Sequence, residues 1–412
     1  MKTLLIFLSL LWLNSFLFAQ KELDTYLKTA SENNAALKSA FSDYRASLEM
    51  LPQAKALPDP QFMFQYFTTP LLLEMGEQRF NLSASQAFPW FGKLKAQEQV
   101  AAEMAKAKYE SFINERNKLF YQVKSAYFNL YVQHKSVTLT EENLRLLQSF
   151  RELAKIRFEV GKGSFVDVLR ADMEIAELEN NLAYLKDNEL PLLAEFQKLL
   201  NTKSIGSLQF PETLWKDSLI DNKIILLDSI TANNPSLKKM DNEIASWEKQ
   251  MKVAKKMGYP SFSLGVQYMN MSKRPGDFPN NGNDMYMFPE IGVMIPIYRK
   301  KYNAMVNEAK YKSESAAFQK IEMTNELTSE MEMNYRDYSN AQRSVVLYAR
   351  LLNLSKNAKE LLLSSFSTAG TDFEEVLRMQ KQELMYALSL EETRGMLNTS
   401  VAYIYYLTGK EN

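Results

Sequence analysis

From Lys93 to Phe158 the chain contains neither proline nor glycine. At 1.5 Å per residue this predicts one uninterrupted helix roughly 95 Å long. Helices of globular proteins average about 11–12 residues, so a helix of this length belongs to a rod or a tube. Phe120, Val123, Tyr127, Leu130, His134, Val137 and Leu144 recur along it at three- and four-residue steps, with Glu141 as the one break. That spacing is a coiled-coil seam. Leu347, Leu351, Leu354, Ala358 and Leu361 form a second seam. Leu178, Leu182, Leu185, Leu192, Phe196 and Leu199 form a third, on a returning helix. Pro191 falls inside the third run, where its missing N–H and its ring predict a kink or a restart.

The second seam exists because the chain is one unit written twice. Asn33-Asn34-Ala35-Ala36-Leu37-Lys38 returns as Asn233-Asn234-Pro235-Ser236-Leu237-Lys238, and Pro60-Gln61-Phe62 as Pro260-Ser261-Phe262, both at a shift of 200. Ala87-Phe88-Pro89 matches Met294-Ile295-Pro296 at 207, and Lys93 then matches Lys300. Phe158, Phe165, Val168, Leu169 and Arg170 match Phe366, Phe373, Val376, Leu377 and Arg378 at 208. Agreement in order along a whole unit marks a duplication. The division expected is a signal segment at 1–19, a first repeat at 20–205, a linker at 206–232 and a second repeat at 233–412. The fold class is mostly α with a small β part, each repeat running helix, strand, strand, long helical hairpin.

The strands are expected at about 60–68, 79–89, 260–270 and 286–297, the last interrupted by Pro289. Phe62, Phe64 and Tyr66 share one face, as do Phe80 and Leu82, and as do Phe262, Leu264, Val266 and Tyr268. Asn81, Ser83, Ser85, Ser261, Ser263, Gly265 and Gln267 take the other. One apolar and one small or polar face is a strand between two different environments.

Lys2, the apolar run Leu4–Leu13 and the small Ala19 describe a secretory signal, with cleavage expected after Ala19. Lys+Arg and Asp+Glu are both 49, and balanced charge excludes nucleic acid as the expected partner. With no Cys and a single His, the thiolate, serine–histidine and multi-histidine metal chemistries lack their residues. The 21 Met residues read as helical core filling. No catalytic, cofactor or metal site is expected, and no enzyme activity with it.

An exported chain with four amphipathic strands poses a closure problem. In lipid, strands survive only in a closed barrel, and bacterial barrels begin at eight strands. Four strands therefore need copies of themselves. Several segments resemble the TolC outer-membrane efflux family: Leu57-Pro58-Asp59-Pro60 opening a strand, Ser85 through Phe88-Pro89-Trp90-Phe91-Gly92-Lys93 closing one, and Arg157 through Leu169 at a helical turn. The resemblance covers nearly all of the chain after residue 19. It implies a homotrimer in the outer membrane, with twelve strands in one β-barrel facing lipid through the aromatic face. A periplasmic tube of twelve helices, a periplasmic adaptor and an inner-membrane transporter complete the implied system. The Phe-Pro-Trp-Phe-Gly-Lys ending is closest to channels paired with heavy-metal pumps of the resistance-nodulation-division class. A type I secretion duct shares the fold, and a periplasmic coiled-coil adaptor is the remaining alternative.

Two turns break the long helices at corresponding places, Gly161-Lys162-Gly163-Ser164 and Ala369-Gly370-Thr371-Asp372. The resemblance makes them the periplasmic tip where the adaptor docks, and the site of the closing constriction. Asp167 and Glu375 keep the family's first acidic position. Arg170 and Arg378 stand where its best-known channel is acidic again, so an ion-paired gate is expected rather than rings of carboxylates.

Overall fold

The computed structural model describes residues 21–410 apart from 207, 278 and 369–371. The expected signal segment and the tip residues Ala369, Gly370 and Thr371 lie outside the described residues. The chain is mostly helical with one small sheet, and it divides into two compact units. One comprises Ala40–Ser111 and Ser236–Met323, the other the described residues up to Ser39, Phe112–Pro235 and the described residues from Thr324 onward.

The first of these units holds the sheet, with β1 (Gln61–Leu73), β2 (Gly76–Phe88), β3 (Ser261–Ser272) and β4 (Met285–Met294) in the order β1-β2-β3-β4, all antiparallel. β1 and β2 run further than the sequence suggests. Beyond an irregularity between Tyr66 and Leu71 the ladder resumes, pairing Leu71 with Gln78 and Leu73 with Gly76. Gly76 closes this hairpin at φ +135, and a Cβ there would lie 2.4 Å from the Ser272 carbonyl oxygen, so only glycine fits. β4 ends at Met294, short of the expected 297. Phe288 and Pro289 both lie opposite Val266, between the pairs Gly265–Glu290 and Gln267–Met287. This bulge places the proline where the ladder is already broken.

Register decides the faces. Phe62, Phe64 and Tyr66 lie opposite Ala84, Leu82 and Phe80. Leu82 and Ala84 lie opposite Tyr268 and Val266, and Phe88 opposite Phe262. Phe262, Leu264 and Tyr268 lie opposite Val293, Ile291 and Tyr286. Directly paired residues share a face, so the apolar positions of all four strands form one continuous surface. It is open to solvent in the single chain, Phe62 being 81% exposed. Ring contacts cross all four strands at one level: Phe64–Phe80 at 6.0 Å, Phe80–Tyr268 at 6.0 Å and Tyr268–Tyr286 at 5.1 Å. The opposite face carries Asn81 hydrogen-bonded to Gln65 at 2.9 Å.

The long helices are α3 (Lys93–Glu159, 67 residues) and α7 (Arg299–Thr368, 70 residues). Each turns back into a shorter one, α4 (Phe165–Leu200) and α8 (Phe373–Thr408). The remaining helices are α1 (21–33), α2 (Ala35–Lys55), α5 (Lys223–Asn233) and α6 (Pro235–Met257). α5 fills the second half of the expected linker and corresponds to α1 at the shift of 200. α4 runs through Pro191 without the restart its sequence suggests.

The α3 seam holds at Val123, Tyr127 and Leu130, which are buried. Further along it moves. His134 is exposed beside Phe210, with ring centres 5.2 Å apart. The buried positions become Thr140, Asn143, Leu147, Phe150 and Ala154 rather than Val137 and Leu144. Two of these are polar, which is why an apolar pattern missed them. Glu141 sits outside, paired with Lys186 at 2.7 Å. On α7, the leucines 347, 354 and 361 are exposed rather than packed, an apolar heptad stripe left open among the described residues.

The extended stretch before α5 is pinned onto the helices of its unit. The Leu214 amide donates to the Tyr131 hydroxyl at 3.0 Å, and that hydroxyl donates to Glu391 at 2.7 Å. Burial, then the Glu391 carboxylate, raise the Tyr131 pKa and keep the phenol protonated to donate. Asn398, fully buried, donates to the Trp215 carbonyl at 2.9 Å and accepts from the Asp217 amide at 3.1 Å.

Candidate functional site at the helical tips

The first hairpin turns through a Schellman arrangement: the Lys162 amide donates to the Arg157 carbonyl at 2.8 Å, and the Gly161 amide to Phe158 at 3.0 Å. Gly161 takes φ +74 with open space around it, so backbone conformation alone requires glycine. Ser164 caps α4 by accepting from the Val166 amide at 3.2 Å. Asp372 does the same for α8 from the Glu374 amide at 3.1 Å. The caps stand 208 residues apart, so the duplication extends to the turn chemistry.

The equivalent phenylalanines show where the symmetry stops. Phe158 and Phe165 contact at 5.3 Å, Phe366 and Phe373 at 5.2 Å. The first pair is 45% and 51% exposed, the second 4% and 1%. Phe366 and Phe373 are buried against Leu147, Phe150 and Ala154 of α3 and Val168 and Ala171 of α4. The Arg157 guanidinium lies 4.1 Å from the centre of the Phe366 ring and donates to the Phe366 carbonyl. The second hairpin therefore packs on the first, and the first presents its own aromatic pair outward.

The charged residues divide in the same way. Arg170 is 3.8 Å from Asp167 on its own helix and also reaches the second hairpin, 3.9 Å from Asp372 and 2.9 Å from Glu374. Arg378 pairs with Glu375 on its own helix. Lys381 crosses back to Glu174 and Glu177 at 3.2 and 3.1 Å. Asp167 and Arg170 are thus brought together with Asp372 and Glu374 of the second hairpin. Glu375 and Arg378 are not brought to the first hairpin. Arg157 entered the sequence reading only as the first residue of the turn segment that carries the resemblance, and Lys381 carried no signal, being one lysine among many. Gly161, Lys162, Gly163 and Ser164 all lie on the turn, with Lys162 exposed. Among the described residues no group of three His, Asp or Glu side chains is placed to hold a metal ion, and no helix is long and apolar enough to cross a membrane.

Residues 26–202 match the model of the outer membrane efflux protein family. The matched residues fall within the expected first repeat, 20–205. The fold agrees across the whole chain. The transmembrane channel CusC superposes at a TM-score of 0.80 and 16% identity, over 95% of this chain and 92% of that one. The outer-membrane channel OprN gives 0.79 and 17%, over 97% and 92%. The outer membrane protein VceC of Vibrio cholerae gives 0.76 and 14%, over 96% and 98%. A toxin and drug export protein of Aggregatibacter actinomycetemcomitans is 22% identical over 270 residues, 62% of this chain and 58% of that protein.

Proposed function

We propose that three copies of this chain form an outer-membrane channel, the passive exit duct of a tripartite efflux system. A periplasmic adaptor and an inner-membrane transporter would deliver its cargo. One observation carries the reading: a single four-stranded sheet with one continuous apolar face and two open edges. β1, β2, β3 and β4 have 13, 13, 12 and 10 residues, and a tilted strand needs about 9–11 to cross a bilayer. The open edges of β1 and β4 cannot remain unpaired in lipid. Twelve strands from three copies is an even number within the bacterial range.

In this reading the aromatic face meets lipid and the Asn, Ser and Gln face meets a watery lumen. The exposed heptad stripe of α7 packs on a neighbouring copy. The turn at 161–164, with Phe158 and Phe165 exposed beside it, is the adaptor's landing place. Asp167 and Arg170 belong to the gate together with Asp372 and Glu374, while Glu375 and Arg378 pair with each other beside it. The resemblance of Phe88 through Lys93 supports a transporter of the resistance-nodulation-division class. The export protein named above favours, as a second reading, a duct for secreted protein.

The test is fractionation followed by reconstitution. The mature protein is expected in the outer-membrane fraction as a heat-sensitive trimer that conducts ions in planar bilayers. Recovery as a soluble periplasmic monomer would end the channel reading.

A further inference from the structure

All four junctions between strand and helix lie at one end of the sheet, because β1 and β3 begin where β2 and β4 finish. In both repeats an apolar or aromatic pair there is followed at once by basic residues. Trp90 and Phe91 precede Lys93 and Lys95; Ile297 and Tyr298 precede Arg299, Lys300 and Lys301. Phe91 and Tyr298 are 79% and 76% exposed, and Trp90 stacks on Tyr259 at 5.3 Å. Lys55 ends α2, and Lys255 and Lys256 end α6. Lys256 donates to the Phe91 carbonyl at 3.0 Å and Arg299 to that of Gly258 at 2.8 Å, which ties the junctions together.

Against these eight basic side chains the junctions hold two acids, Asp59 and Glu98. Among the described residues only Glu98 is engaged by one of the eight, at 3.5 Å from Lys55. The other end of the sheet has no such excess, with Glu74, Glu77, Asp277 and Asp284 against Arg79, Lys273 and Arg274.

Helix stability explains part of this collar and fails for the rest. Lys255 and Lys256 sit in the last turn of α6, where the helix dipole favours cations. Lys93, Lys95, Arg299, Lys300 and Lys301 begin α3 and α7, where the dipole opposes them, and neither first turn contains an acid. Positive side chains grouped at helix N-termini favour an external anion.

We propose that the collar binds the phosphate-bearing headgroups of anionic phospholipids in the leaflet on the helix side of the sheet. The exposed rings lie at the acyl–headgroup boundary, where amphipathic aromatics concentrate. The proposal rests on reading the sheet as part of a membrane barrel. It adds that the protein selects its lipid.

The experiment uses the full-length trimer reconstituted in vesicles of equal phosphatidylcholine and phosphatidylglycerol, then re-extracted in mild detergent. Phosphatidylglycerol among the retained lipid is expected to be enriched about fivefold or more, the ratio equivalent to ~1 kcal/mol per basic side chain at an anionic surface. A variant combining Lys93→Gln, Lys95→Gln, Lys300→Gln and Lys301→Gln should retain the two lipids near their bulk ratio. Its thermal midpoint in detergent should be unchanged or higher, since the charges it loses oppose the helix dipole. No enrichment in the wild type, or full enrichment in the variant, overturns the collar and leaves the channel standing. A variant with unaltered lipid enrichment but weakened export in cells would assign the charges to a protein partner, and also overturns it. Failure of the wild type to enter vesicles of either lipid contradicts the barrel itself, and the collar with it.

Discussion

Arg170→Glu is expected to loosen the helical tip and raise single-channel conductance several-fold at low salt, with no loss of assembled protein. Arg170 joins the two hairpins through Glu374 and Asp372, and the substitution would gather four carboxylates at one junction. The side chains of Arg170, Glu374 and Asp372 are 36%, 58% and 62% exposed, so solvent screening holds each pair to ~0.2–1 kcal/mol. Exchanging attraction for repulsion changes that by about 1–2 kcal/mol per copy, and three copies add to several kcal/mol. A shift of ~3 kcal/mol moves a two-state population by on the order of a hundredfold. The effect should shrink as salt shortens the Debye length. Adding Glu374→Arg should restore low conductance. Arg378→Glu is the internal control and should change little, because Arg378 pairs within its own helix, worth ~0.3–0.5 kcal/mol. Unchanged conductance of Arg170→Glu at low salt would contradict the lock.

The sequence presents the two tip pairs as equals, Asp167 with Arg170 and Glu375 with Arg378, each three residues apart. What separates them lies in positions that read as ordinary. Asp372 and Glu374 correspond at the shift of 208 to Ser164 and Val166, so only the second hairpin has acids at these two positions for an arginine to reach across to. Packing then gives Arg170 that reach, because Phe366 and Phe373 are buried against the first hairpin. A one-dimensional pattern shows which residues share a helix face and leaves open which helix that face meets.

The second large effect concerns the sheet. Phe64→Arg and Leu264→Arg are each expected to abolish most trimer assembly, whereas Ser83→Arg should assemble and shift ion selectivity toward anions. A lipid-facing arginine near the bilayer midplane costs ~2–4 kcal/mol, and three copies would carry it together. Phe64 lies opposite Leu82 and Leu264 opposite Ile291, all on the apolar surface. Ser83 lies opposite Met63 and Gln267 on the other. Trimer yield on unheated gels and reversal potentials in a salt gradient measure both outcomes. Equal failure of all three variants would mean that the faces are assigned wrongly.

The strand faces were legible because a period of two leaves no choice: once Phe62 points one way, Phe64 and Tyr66 follow. The continuation of β1 past residue 68 and the earlier start of β2 were not legible, since Pro70 lacks the N–H a ladder needs and the pairing resumes only at Leu71. The seam of α3 was legible while its buried positions were apolar and was lost where Thr140 and Asn143 take them over. On α7 the leucine seam is real in spacing and exposed in the single chain. Such a stripe is expected where the partner is another copy.

Closure of the sheet by copies of itself is the central claim, and the duplication says which residues should meet. β2 pairs with β3 across the boundary between repeats, Ala87 opposite Ser263. The shift of 207 carries Ala87 to Met294 on β4, and the shift of 200 carries Ser263 to Met63 on β1. If β4 meets β1 of the next copy as β2 meets β3, Met294 and Met63 become opposite neighbours, ~4.5–5.5 Å apart at Cβ. The chain has no cysteine, so Met63→Cys with Met294→Cys introduces the only thiols. Oxidation, or a short bifunctional thiol reagent, is predicted to give a covalent trimer that survives boiling in detergent, while each single substitution gives monomer. Monomer alone from the double variant, in membranes where the protein is present and its thiols are reactive, would contradict closure by copies.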